Sequence, residues 1–312
     1  DLLLQRADAA TYTARLAGSG IEVYAAETDP YAPRRLALAA DLREALERDE
    51  VDVYVQPKVS LADGLVVGAE ALVRWTHPRL GFLSPDQFIP AAEYTGVIKS
   101  LTLYVVRNAL AQCRSWRDAG MDITISVNLS ARNLFDSHLV EDIGAAIQAA
   151  GVPSASLTLE LTESTVMGGS KRSMAVLEGL KELGCGLSVD DFGTGYSSLS
   201  HLRQLPVTEL KVDKSFVGTM TSNEHDAVIV RALIDLGRSL GLHTVAEGVE
   251  STDAWDMLKE FGCEEAQGYL LSRPIPAEQF TQWLARQEVR QLEHGREVVP
   301  FSPRRRSATE DR

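Results

Sequence analysis

Two adjacent acids, Asp190 and Asp191, close a short apolar run that contains Leu187 and Val189. Phe192 and a glycine-flanked turn, Gly193-Thr194-Gly195, come next, followed by Tyr196 and serines suited to opening a helix. The run reads as a buried strand and the turn as a strand-to-helix connection. Neighbouring strand residues point to opposite faces, so the second acid does not duplicate the first. Ionised carboxylates at the end of a buried strand need a partner. A metal ion is one answer, and an Asp N-cap on the following helix is the other.

The elements that would position these acids repeat along the chain. From about residue 51, short apolar runs alternate with helical patterns. The runs cover 51–56, 65–72, 123–128, 157–161, 187–191, 209–212, 244–247 and 266–269. Helical periodicity covers 85–94, 98–119, 139–150, 171–183, 197–204, 226–240 and 252–261, with a last helix over 277–285. In the helix over 226–240, Ile229, Leu233, Leu236 and Leu240 form one apolar stripe, as expected for packing on a sheet. Eight strands alternating with helices predict an α/β fold, a (β/α)8 barrel of the TIM type, with a doubly wound open sheet as the alternative. No GxGxxG follows the first strand, so a dinucleotide-binding fold has no support.

In such a barrel the chemistry sits at the C-terminal ends of the strands. Those ends carry Gln56, Glu70, Asn128, Glu160, Asp190 with Asp191, Lys211, Glu247 and Gln267. Five carboxylates converging on one mouth would repel one another strongly unless neutralised. An all-oxygen ligand set favours Mg²⁺ or Mn²⁺ over zinc. Two such ions about 3.5–4 Å apart suit phosphoryl transfer. Lys211 could then orient the attacking water or meet a phosphate. Arg74, four residues after Glu70, shares its face on an extended strand and could clamp a phosphate. Other conspicuous residues take structural readings. Trp75, Trp116, Trp255 and Trp283 read as packing, Cys113 as core, His77 and His243 as structural histidines, and Asp213 as a helix cap.

Composition narrows the class. The 312 residues carry a net charge of −13, which argues against a general surface for nucleic-acid polymers. No run of 18 apolar residues is present, so no membrane span is expected within the chain. The three cysteines are far apart in sequence and form no CxxC, as in a reduced, cytoplasmic protein. The six histidines show no HExxH, which argues against zinc. The chain begins with Asp1 rather than Met and shows no secretory signal, and it reads as a piece of a longer polypeptide.

The motifs, taken in order, resemble the EAL-domain cyclic di-GMP phosphodiesterases. They are QPKVSL (56–61), EALVRW (70–75), HPRLGFLSPDQFIPAAEYTGVI (77–98), SVNLSARNL (126–134), ELTES (160–164), DDFGTGYSSL (190–199), LKVDKSFV (210–217), VAEGVE (245–250) and AQGYLLSRPIP (266–276). The resemblance implies a (β/α)8-type barrel over 34–288 that hydrolyses cyclic di-GMP to linear pGpG with two Mg²⁺ or Mn²⁺ ions. It implies Glu70, Asn128, Glu160, Asp190, Asp191 and Glu247 as metal ligands. Lys211 is implied at the water or phosphate, and Glu247 also as general base. Gln267 would support the water and second metal, and Gln56 and Arg74 would bind substrate. Glu163 would steady the loop 190–199 that couples a homodimer interface to the metals. Lys58 and Asn133 depart from common family residues at positions expected to lie away from the chemistry. A cyclic di-GMP receptor without efficient hydrolysis is the alternative function.

Residues 6–20 followed by IEVY resemble the end of a GGDEF domain. Residues 1–33 are therefore expected to be a remnant of such a domain plus linker. That implies a parent protein with upstream GGDEF or sensor domains, in which a membrane anchor could lie. The polar stretch 289–312 reads as a disordered tail.

Overall fold

In the computed structural model, the described residues are 32–167, 170–194 and 202–284, together with residues 6, 7, 10, 14, 21 and 23. The expected remnant at 1–33 and the tail at 289–312 fall almost wholly outside them, and so does most of the expected helix over 197–204.

Helix α1 (Ala32–Glu47) leads into a hairpin of two long strands, β1 (Val51–Ser60) and β2 (Val66–His77), followed by a short β3 (Gly81–Leu83). Helices α2 (Pro85–Thr95) and α3 (Ile98–Asp118) precede β4 (Thr124–Asn128). Then come α4 (Leu139–Ala150), β5 (Leu157–Thr162), a short α5 (Glu163–Met167), α6 (Lys171–Glu182), β6 (Gly186–Phe192) and β7 (Glu209–Val212). The chain continues through α7 (Lys214–Val217), α8 (Glu224–Leu240), β8 (His243–Ala246), α9 (Thr252–Phe261), β9 (Glu265–Ala266) and β10 (Ile275–Pro276). A final helix occupies 277–284.

The sheet runs β1-β9-β8-β7-β6-β5-β4-β2, and β2 pairs back onto β1 to close an eight-stranded barrel. The expected barrel is present, with one correction. β1 is antiparallel to both β2 and β9, whereas the other neighbours are parallel. The connection of only five residues between β1 and β2 explains this, because a parallel return needs a dozen or more residues. Gln56 is therefore not at a strand end. It lies mid-strand opposite Glu70, and β1 runs on to Ser60. The expected strand at 266–269 is a two-residue element at 265–266, while β3 and β10 are additional edge pairings.

Strand faces alternate between helices and barrel interior. Val55, Ile125, Leu159, Leu187, Val189 and Leu210 are fully buried in one continuous apolar core. The α8 stripe is rotated by one residue from the expected one. Val230, Ile234 and Gly237 are its buried residues, with Leu233, Leu236 and Leu240 half-buried beside them. Gly237 sets this rotation. A Cβ there would lie 2.4 Å from Thr244 Cγ2, so the bare backbone is what lets α8 sit on β8. Trp75 and Trp116 are buried, as packing residues should be. Trp116 and Trp283 both contact the Phe280 ring, at centroid distances of 5.0 and 5.6 Å. The buried imidazole of His77 pairs with Asp41 at 3.0 Å, and His243 pairs with Glu265 at 2.8 Å. Cys113, Cys185 and Cys263 are buried free thiols.

Candidate active site

The barrel interior is polar where its apolar layers end. β7 contributes Lys211, whose side chain is fully buried. Its ammonium lies 2.6 Å from Glu247 Oε1, 2.7 Å from Glu160 Oε2, 3.1 Å from Asp190 Oδ1 and 3.8 Å from Glu70 Oε2. Four strands thus aim one carboxylate each at a single cation. Glu70 comes from the middle of β2, Glu160 from β5 and Asp190 from β6, while Glu247 follows the end of β8. The backbone N–H of Glu247 donates to Val212 O at 3.1 Å, which extends the ladder just far enough to hold that residue over the mouth.

Amides complete the ring. Asn128 Nδ2 donates to Glu70 Oε1 at 2.8 Å, and Gln267 Nε2 donates to Glu70 Oε2 at 2.6 Å. Gln267 also reaches Gln56 Oε1 at 3.1 Å, and Gln56 Nε2 donates to Ser272 O at 3.0 Å. All of the expected strand-end residues therefore meet at one end of the barrel. Arg74 stands apart from the acids. Its guanidinium donates to Val73 O at 2.8 Å and lies 5.7 Å from the Tyr54 ring.

The turn at the end of β6 is strained in a specific way. Asp191 has φ of +54°, a left-handed conformation that few non-glycine residues adopt, and Gly193 follows with φ of +103°. This turn leaves oxygens of Asp190, Asp191 and Glu247 within 4.8 Å of one another. Glu163, buried at the start of α5, accepts a hydrogen bond from the Gly193 N–H at 2.9 Å and so braces the turn from behind. The rest of the loop, from residue 195, lies outside the described residues. Asp213 caps α7 through the Ser215 N–H at 2.9 Å, as expected, and its carboxyl lies close enough to Asp191 to raise that acid.

Five carboxylates (Glu70, Glu160, Asp190, Asp191 and Glu247) share one ammonium, and the electrostatics follow. Burial would push Lys211 down, but Glu160, Glu247, Glu70 and Asp190 overcome it and hold the amine well above its ordinary value. Glu160, which faces both Lys211 and Lys58, stays below the usual carboxylate value despite burial. Glu70, Asp191 and Glu247 go up. Burial raises Glu70, burial with Asp190 and Asp213 raises Asp191 to about 6, and burial raises Glu247 to about 8. Such an excess of charge fits hard divalent cations. So does Gln267 Oε1, a buried carbonyl oxygen without a hydrogen-bond partner among the described residues. Two divalent ions would cancel the four unbalanced charges.

A pH dependence follows. Glu247 sits above its ordinary value of 4.5, at about 8, so its folded-state contribution is fully present below 4.5 and is lost as pH rises through about 8. The metal-free protein should lose stability over that range. Cation binding at pH 7 should expel roughly one proton per site. Calorimetric Mn²⁺ titrations in two buffers of different ionisation enthalpy measure that number directly. An enthalpy independent of buffer would contradict it.

Six of these residues (Gln56, Glu70, Asp190, Asp191, Glu247 and Gln267) floor a groove of about 610 Å³. Its walls add Leu72, Asp86, Lys214, Glu250 and Tyr269, none of which the sequence singled out. Tyr269 follows Gln267 by two, a spacing that could have found it. Asp86 comes from the first turn of α2 and carried no signal. Lys58, expected to lie away from the chemistry, instead lies against one of the acids. It follows Gln56 by two on the inward face of β1 and reaches Glu160 from below, with Nζ 3.6 Å from Oε1.

Comparison with known proteins agrees with this geometry. Residues 39–274 match the family described as the EAL domain. The chain is 43% identical over 279 residues to MucR of Pseudomonas aeruginosa, a bifunctional diguanylate cyclase/cyclic di-GMP phosphodiesterase, covering 89% of this chain and 41% of MucR. It is 41% identical over 276 residues to the cyclic di-GMP phosphodiesterase NbdA of the same organism, covering 88% of this chain and 35% of NbdA. The chain thus spans less than half the length of these curated relatives. The solved structure of the PaMucR phosphodiesterase in complex with c-di-GMP superposes with a TM-score of 0.74 at 45% identity, covering 78% of this chain and all of that one.

Proposed function

The chain belongs to the EAL-domain family, and on that premise we propose that its barrel mouth is a divalent-cation-dependent phosphodiesterase site that hydrolyses cyclic di-GMP to linear pGpG. The observation that carries this reading is the convergence of Glu70, Glu160, Asp190 and Glu247 on Lys211 with Asp191 alongside. The naming of two relatives as cyclic di-GMP phosphodiesterases supports the substrate class, and so does the c-di-GMP complex of the PaMucR phosphodiesterase structure. A groove of about 610 Å³ falls within the range of small-molecule sites.

Glu70, Asn128, Glu160, Asp190, Asp191 and Glu247 would hold two Mg²⁺ or Mn²⁺ ions. Bound there, the ions supply Lewis-acid stabilisation of the phosphoryl oxygens and lower the pKa of water. The protein's own groups do the rest. Gln56, Arg74 and Gln267 hold the dinucleotide so that one phosphodiester faces the acids. Glu247 receives the proton of the attacking water, a task suited to a carboxylate raised towards neutrality. The water oxygen forms a new bond to phosphorus and the P–O3′ bond breaks. The leaving 3′ oxygen is protonated, giving a linear dinucleotide with a 5′-phosphate. Lys211 holds the acids in place throughout. Glu163 holds the Asp191 turn.

In this reading residues 34–288 are the catalytic domain and residues 1–33 the end of a preceding GGDEF-like domain. The domain works as a homodimer in the cytoplasm. No helix among the described residues is long and apolar enough to cross a membrane.

A substrate panel tests the specificity. Cyclic di-GMP, cyclic di-AMP and linear pGpG would each be incubated with the chain and Mn²⁺. Cyclic di-GMP should turn over at least about tenfold faster than either, a difference of roughly 1.4 kcal/mol in transition-state binding. Preferred cleavage of another dinucleotide would replace the substrate assignment. Tight binding of cyclic di-GMP without product would make the chain a receptor.

A further inference from the structure

A second lysine is buried one layer beneath the acid ring, and the proposed chemistry does not use it. Lys58 is 2% exposed inside the barrel. Its Nζ donates to Ser126 Oγ at 2.6 Å and to Glu209 Oε1 at 3.4 Å, and it stands 3.6 Å from Glu160 Oε1. The barrel makes room for it. Lys58 pairs with Gly68 across the β1–β2 ladder. A Cβ at Gly68 would lie 3.3 Å from Lys58 Cε and 2.9 Å from Thr124 Oγ1, so the lysine stem runs over bare backbone. A buried cation is costly, and an apolar side chain would fill the same space more cheaply for stability alone.

What the cation does is visible at Glu160. This carboxylate is fully buried and is held from both sides. Lys211 takes Oε2 at 2.7 Å from the mouth, and Lys58 faces Oε1 from the floor. Among the described residues Oε1 has no hydrogen-bond partner, so the Lys58 charge is the counterweight on that side. Without it, only the neutral Ser126 hydroxyl would be left on that side to oppose rotation of both oxygens onto Lys211.

We propose that Lys58 is a positioning residue for the cation site. It anchors Glu160 towards the barrel floor and so keeps both Glu160 and Lys211 in the arrangement that receives the metals. This rests on the reading of the mouth as a metal site, and the test separates the two. Lys58→Met alone would strand two buried glutamates, so the charge-balanced pair Lys58→Met with Glu209→Gln is compared with Glu209→Gln alone.

Mn²⁺ affinity is measured by calorimetry on protein shown to be folded by its melting curve. The nucleotide KM and kcat are measured separately. The double variant should bind Mn²⁺ about tenfold more weakly or worse, as expected when a group that orients a metal ligand is removed. Its kcat should fall at limiting Mn²⁺, while KM for cyclic di-GMP stays within about twofold, because Lys58 touches no part of the groove. Glu209→Gln alone should keep the original Mn²⁺ affinity. Unchanged affinity in the double variant would reduce Lys58 to a counter-ion for Glu209 and overturn the proposal. Should the double variant fail to fold, Gly68→Ala crowds the lysine stem with every charge kept, and unchanged Mn²⁺ affinity there overturns the proposal equally. Wild-type protein that binds no Mn²⁺ would instead remove the metal site itself.

Discussion

Lys211→Met should cost the metal-free protein on the order of 3–5 kcal/mol of stability, the usual penalty for removing one partner of a buried ion pair. The lysine is fully buried and lies within 4 Å of four carboxylates. Methionine fills nearly the same volume, so the loss is one of charge rather than packing. The acids would respond by taking up protons, and turnover at neutral pH should fall by at least about 10²-fold. Saturating Mn²⁺ should restore stability more in the variant than in the wild type, since cations replace the missing charge. Melting curves with and without Mn²⁺ give both quantities. A metal-free variant as stable as wild type would show that Lys211 is not what holds the acids together.

Asp190→Asn is the second large effect, and its sign on stability is opposite. The carboxamide keeps the shape and can still accept the Asp191 N–H that Asp190 Oδ1 now accepts at 2.9 Å. It removes one negative charge from an overcrowded ring, so the metal-free melting temperature should hold or rise. Turnover should fall by roughly 10³-fold, because in the proposed mechanism several kcal/mol of transition-state stabilisation depends on metals that this acid would help to hold. The Mn²⁺-induced shift in melting temperature should shrink with it. A variant retaining full turnover would remove Asp190 from the site.

The fold and the site were legible to different degrees, for physical reasons. The parallel strands announced themselves because each carries fully buried residues such as Ile125, Leu159 and Leu187 in short apolar runs. The reversed first strand did not. Its composition is that of any inward-facing strand, and only the five-residue connection to β2 betrays its direction. The strand-end rule still located the mouth, because Asn128 and Asp190 lie at or near strand ends and Glu247 just beyond one. Gln56 was found although it lies mid-strand, opposite Glu70. The floor of the site was harder to see. Lys58 and Glu209 are charged residues in strands, and such residues usually point to solvent. Here both turn inward because Lys58 faces Glu209 and Glu160 together. The α8 stripe shifted because a glycine, which no hydrophobicity pattern marks, sits at the point of closest approach to β8.

The most direct measurement is incubation of the purified chain with cyclic di-GMP in Mg²⁺, in Mn²⁺ and in chelator, with products resolved by chromatography. Linear pGpG should accumulate with either cation, be absent in chelator, and disappear again on Asp190→Asn. Intact cyclic di-GMP under every metal condition, from a folded protein, would contradict a hydrolytic site at this barrel mouth.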